Sequence, residues 1–209
     1  MQRFVMCAAV ALVGAQAAQA NLLVNPGFET GTAPGNGDVY GAAGWTSFGN
    51  VFNVSAGNPT PVGPHSGTGA LKEFGTFPGV SGSFQSFTAS AGQAWSLSGY
   101  ILNASSDPMQ ADNFALLKIS FQDASNNELL GIDSAHITAA TAVDQWLFVT
   151  ANGVAPAGTA HVNLFTLFVQ PNFAGGSASF DDLDGSQVPA PASVALLGLG
   201  GLVASRRRR

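Results

Sequence analysis

Apolar and polar side chains alternate in two stretches of the chain. Trp95, Leu97 and Ile101 share one parity and Ser96, Ser98 and Tyr100 the other, while Leu117, Ile119 and Phe121 alternate with Lys118, Ser120 and Gln122. A period of two predicts strands with one face on a core and one in water. Residues 161–169, from His161 to Val169, are apolar on both parities, which predicts a central strand. Turn signals separate such runs: Asn25-Pro26-Gly27, Asn58-Pro59, Asp107-Pro108, Asp123 to Asn127 and Ala155-Pro156-Ala157-Gly158. Long 3.6-residue periods are missing between residues 21 and 187, where 22 Gly and nine Pro punctuate short β-rich runs. The pattern predicts an all-β domain, an antiparallel β-sandwich.

The two ends follow other rules. Residues 1–20 carry Arg3, an apolar run from Phe4 to about Ala15, and then Ala18-Gln19-Ala20. This predicts a signal helix removed by cleavage between Ala20 and Asn21. At the other end Pro189-Ala190-Pro191 precedes an uncharged apolar stretch of thirteen residues, 192–204, and then Arg206, Arg207, Arg208 and Arg209. Thirteen helical residues reach about 20 Å, short of a hydrocarbon core of roughly 30 Å. With its flanks this short hydrophobic helix can still enter the inner membrane as a transient transmembrane helix, arginines on the cytoplasmic side.

This tripartite end, residues 188–209, resembles the PEP-CTERM sorting signal of Gram-negative bacteria. The chain departs from it in having Ala190 where that signal has Glu. The resemblance implies export, processing by an exosortase-type protease, and a place on the cell surface or in the extracellular matrix, including biofilm.

Charge narrows the function of residues 21–187. They hold Lys72 and Lys118 against all twelve acidic residues, a net charge of −10. So few cations cannot neutralise phosphates, which excludes nucleic acid as a partner. The only cysteine, Cys7, lies in the segment expected to be removed, so disulfides, thiolate zinc and cysteine catalysis are excluded. His65, His136 and His161 fall in no metal-ligand spacing, and no G-x-S-x-G elbow occurs. A non-enzyme is expected.

Several segments resemble, in order and spacing, the jelly-roll, galactose-binding-like domains found among carbohydrate-binding modules. They are Asn21 to Gly31 with Gly44-Trp45, Ser66 to Lys72, Phe84 to Tyr100, Trp146 to Thr150, Val154 to Thr159, and Ala178 to Leu183. The resemblance implies a polysaccharide-binding module. Neutral sugars are favoured, since a body at net −10 repels acidic polymers. A structural biofilm or matrix protein with no defined ligand is the alternative, and a glycoside hydrolase the least favoured.

The same resemblance implies a structural Ca2+ held where first and last strands meet, by Glu29, one of Asp181 or Asp182, and a carbonyl near Lys72. The alternative is that Glu29 caps a turn and the Asp pair is a solvated strand end. Trp45, Trp95 and Trp146 are expected to pack in the core. Tyr40, with Asp38 in the glycine-rich loop 32–44, and Tyr100, opposite the Trp95 parity, are the candidates for contact with a sugar.

Overall fold

The computed structural model describes residues 20–31, 41–55, 61–75 and 79–188. The expected signal helix and C-terminal helix lie outside these residues, as do Asp38, Tyr40 and the motif from Pro189 to Arg209. Among the described residues no helix is long and apolar enough to cross a membrane.

Residues Ala20–Val188 form one compact unit. Its strands are β1 Thr46–Phe48, β2 Asn50–Ser55, β3 Gly69–Phe74, β4 Gly79–Thr88, β5 Ala94–Leu102 and β6 Phe114–Gln122. They continue with β7 Glu128–Asp133, β8 Ile137–Thr138, β9 Trp146–Val154, β10 His161–Gln170 and β11 Ser177–Val188. One sheet has the order β1-β4-β10-β6-β7, with β8 also on β6; the other has the order β2-β3-β11-β5-β9. All the pairings are antiparallel. The expected β-sandwich is the observed one.

The alternation read from the sequence decides which side chains meet between the sheets. Trp95, Leu97 and Ile101 of β5 and Leu117, Ile119 and Phe121 of β6 are buried in a single core with Leu164, Phe168 and Phe180. Strand β10 lies between β4 and β6. Its inward Leu164, Thr166 and Phe168 are buried, and its outward Phe165 and Leu167 are half-buried, which explains its apolar residues on both parities.

Glu73 breaks the apolar rule. It sits beside Leu71 on the inward parity of β3 and is fully buried. The Thr166 hydroxyl donates to its Oε1 at 2.6 Å, while Oε2 has no partner. Burial, opposed by the Thr166 bond, pushes its pKa well above the usual carboxylate range. Its flanking residues in the sheet, Val51 and Ala178, carry no charge. The folded state therefore holds this proton more tightly than the unfolded chain, and stability is lost as pH rises from the ordinary carboxylate pKa toward the folded one. Glu73→Gln keeps an acceptor for Thr166 and cannot ionise. It is expected to be more stable than the parent domain at neutral pH, by up to about 1.4 kcal/mol for each pH unit over which the parent must hold its proton above the ordinary carboxylate pKa. Urea unfolding across pH should find the advantage shrinking toward about pH 4; a constant difference would assign the pH dependence to another group.

Candidate functional site

The amino-terminal segment is a turn built to project Glu29. Asn25 (φ 50°) and Phe28 (φ 54°) both adopt the left-handed region. Asn25 holds it there: its Nδ2 donates to Thr30 O (2.8 Å) and Ala43 O (3.1 Å), and its Oδ1 accepts from Thr30 N (3.2 Å). The Phe28 ring turns into the core against Trp45, centroids 5.2 Å apart. Glu29 then points outward at the loop before β3, where its carboxylate accepts from Thr68 N, Thr68 Oγ1 and Gly69 N. The Thr68 backbone bond is the largest cause holding its pKa below the ordinary value. Gly67 takes φ +57°, and a Cβ on it would fall 2.1 Å from Glu29 Oε1, so a larger residue would push the carboxylate off Thr68.

Strand β11 brings the other two carboxylates to the same loop. The acidic pair does not end the strand, which was the alternative raised from sequence. β11 continues to Val188, and its pairing with β5 shifts register between Asp181 and Asp184. At that bulge Asp182 takes φ 47°. Asp181 is buried; its Oδ2 accepts from His65 N (2.8 Å) and Ser66 N (3.2 Å), and its Oδ1 from Asp182 N (2.7 Å). Burial is the main cause that raises its pKa to about 6. Asp182 accepts from Ser66 Oγ at 2.8 Å and pairs with His65 Nδ1 at 2.7 Å.

Three carboxylates thus surround one glycine. A Cβ on Gly27 would lie 3.4 Å from Asp182 Oδ1 and 3.8 Å from both Asp181 Oδ1 and Glu29 Oε1. Carboxylate oxygens are hard donors of the kind calcium takes, and Gly27 keeps a side chain out from between them. Among the described residues no group of three or more His, Cys, Asp or Glu side chains is arranged so that it could hold a metal ion. Backbone carbonyls would have to complete the shell. Lys72 is not brought to this point: its side chain pairs with Asp107 at 3.0 Å, and its backbone lies in β3 between Phe52 and Ser179.

Aromatic side chains flank the cluster on the outer face of the same sheet. His65 stacks on Tyr100 (centroids 3.6 Å, 18°), and Tyr100 meets Phe148 edge-on at 5.3 Å. Tyr100 therefore has one ring face covered, and Phe148, 59% exposed, is the open ring of this group. Trp45 and Trp95 pack in the core as expected. Trp146 does not: it lies on the outward parity of edge strand β9, its Nε1 donating to Gly63 O at 3.2 Å.

The outer face of the other sheet was not singled out from sequence. Antiparallel register aligns Phe84, Phe165 and Lys118 in one row, Ser86, Asn163 and Ser120 in the next, and Thr88, His161 and Gln122 in a third. Phe84 and Phe165 are in ring contact at 5.0 Å, and Phe48 meets Phe165 at 6.4 Å. Gln122 Oε1 pairs with His161 Nε2 at 2.9 Å and accepts from Asn163 Nδ2 at 3.3 Å. Asn163 is 8% exposed, yet its Oδ1 has no partner. Beside it, Glu128 accepts from Ser120 Oγ at 2.7 Å and Lys118 Nζ at 3.1 Å. Burial would raise the Glu128 pKa, but these bonds outweigh it and the net shift is downward. The outward alternation of β10 was the available signal, masked in the sequence by its apolar neighbours.

Among solved structures, the CBM22-1 xylan-binding domain of Paenibacillus barcinonensis Xyn10C superposes with a TM-score of 0.53 at 17% identity, covering 83% of this chain and 99% of that one. The CBM22-1–CBM22-2 tandem of the same protein gives 0.55 at 19%, covering 84% and 49%. A cyclase from Fischerella sp. TAU, in complex with 4-(1H-indol-3-yl)butan-2-one, gives 0.57 at 14%, covering 83% and 99%. The fold is the jelly roll of these carbohydrate-binding modules, one that a cyclase also uses. Residues 187–209 match the PEP-CTERM protein-sorting motif, which marks the chain as an exported protein. No curated protein sequence matches the chain.

Proposed function

We propose that residues 21–187 are a non-catalytic module that binds a neutral polysaccharide at the cell surface or in the extracellular matrix, after an exosortase-type protease has processed the tail. The polysaccharide lies across the outer face of β4, β10 and β6. The observation that carries this reading is Asn163, a buried amide with a free Oδ1 beside the Phe84–Phe165 pair. Aromatic rings take up the apolar face of a pyranose, and amides satisfy its hydroxyls. A calcium ion held by Glu29, Asp181 and Asp182 would supply structural cross-linking of the first and last segments. The non-catalytic reading is supported by the fold shared with the xylan-binding CBM22-1 domain and the CBM22 tandem.

A binding screen of residues 21–187 against neutral polysaccharides, with calcium and with chelator, tests the proposal. Saturable binding is expected, weakened about tenfold or more by Phe165→Ala, as for an aromatic anchor. Tyr40→Ala and Tyr100→Ala probe the competing surface, the loop edge with Asp38 and the His65 stack. Loss there, with Phe165→Ala unaffected, would move the site. No binding to any neutral polysaccharide in either condition would overturn the reading in favour of a structural matrix role.

A further inference from the structure

At the end of β3 and β10 lies a pocket of about 360 Å³ that neither the carboxylate cluster nor the outer face of β4, β10 and β6 uses. Its lining includes Lys72, Phe74, Gly75, Asp107, Gln170 and Gly176. Two of these residues form an ion pair: Lys72 Nζ lies 3.0 Å from Asp107 Oδ2, and both side chains are partly exposed. Gln170 is different. It is 8% exposed, its Nε2 is committed to Ala174 O, and its Oε1 has no partner. The amide orientation is fixed by that carbonyl, which can only accept, so the unsatisfied atom of this lining residue is an acceptor, buried next to Gly75. A buried acceptor without a partner costs about 1–3 kcal/mol, and a donor from a ligand removes that cost.

The chemistry of the lining selects the ligand. Lys72 can donate further hydrogen bonds and accept none; Asp107 can only accept. Adjacent hydroxyls on one ring match this pair, one accepting from Lys72 and one donating to Asp107, while a third donates to Gln170 Oε1. An anion gains little, because Asp107 already balances Lys72. Phe74 offers an apolar wall, held flat by Phe52 at 5.2 Å and 7°. The volume is near the lower end of small-ligand sites, about 300–1,000 Å³, so it suits one or two sugar rings rather than an extended chain.

We infer that this pocket is a second binding site, taking the vicinal diol of a small neutral sugar through Lys72, Asp107 and Gln170. It goes beyond the polysaccharide reading and uses no residue of that face. The test is a titration of the isotope-labelled full-length chain, in detergent micelles, with D-glucose, D-galactose and D-xylose, followed by amide chemical shifts. Saturable shifts confined to Gly75, Asp107, Gln170 and Gly176 are expected for at least one sugar. Lys72→Met and Asp107→Asn should each weaken that sugar about tenfold, as for one hydrogen bond with a charged partner. Both are expected to fold, because a partly exposed ion pair contributes only about 0–1 kcal/mol. Phe165→Ala should leave these shifts intact, and Lys72→Met should leave polysaccharide binding intact, so the two sites fail separately. Absence of localised shifts with all three sugars, or full affinity in both pocket variants, would overturn the inference.

Discussion

Phe28→Ala is expected to destabilise the domain by about 3–5 kcal/mol, the range for truncating a buried phenylalanine. The ring is fully buried and lies against Trp45, so the cavity would open where the amino-terminal segment meets the core. The backbone adds to the loss. A bulky residue at φ 54° is strained, by about 1–3 kcal/mol, and persists only where the surroundings over-determine it. Here the buried ring does so from one side. From the other, Asn53 Nδ2 donates to Phe28 O at 2.5 Å, and Phe28 N donates to Asn25 O at 3.1 Å. Without the ring the turn can relax, and Glu29 would leave Thr68 and Gly69. Chemical denaturation measures the loss. A change below about 1 kcal/mol would mean that this segment lies outside the cooperative core.

Restoring calcium to chelator-treated protein is expected to raise its melting temperature. An ion bound only by the folded state stabilises it by about 2.7 kcal/mol at one hundred times its Kd and about 4.1 at one thousand. Glu29→Ala should abolish the calcium dependence. Lys72→Met should not, because the Lys72 side chain is engaged with Asp107 instead. Magnesium should substitute poorly, since it demands a small octahedral shell that three carboxylates spread around Gly27 do not offer. Calorimetric scans give the comparison directly. Coincident curves with calcium and with chelator would retire the ion and leave the carboxylates as hydrogen-bond acceptors for the loop from His65 to Gly69.

The features most legible in the sequence were those that repeat. Alternation in residues 95–101 and 117–122 gave two strands and their inward faces, and the turn signals separated them. The tail was legible because composition alone defines it. Convergence of Glu29 with Asp181 and Asp182 was inferred through a family resemblance, since residues some 150 positions apart carry no local trace of contact. What stayed hidden depends on register. Phe84, Phe165 and Lys118 become a row only when β4, β10 and β6 are aligned. Trp146 read as a core residue because it matches a core position of the resembling modules, but its outward parity on an edge strand decided otherwise. The carbonyl near Lys72 was likewise implied by the resemblance; the Lys72 side chain is engaged with Asp107, and an extended strand carries the residue about 10 Å beyond Gly69.

The order of the strands bears on how this chain crosses a membrane. β10 separates β4 from β6, and β11 separates β3 from β5, so the middle of each sheet comes from the last third of the sequence. Asn21 waits for the same strand: its side chain donates to Leu183 O at 2.7 Å and accepts from Gly185 N at 3.0 Å. A chain that leaves the cell amino terminus first therefore has edges without centres until almost all of it has passed. Neither sheet can be completed before β10 and β11 have passed, so a chain exported unfolded is expected to close its sandwich only on the far side, once β11 arrives to join the two ends.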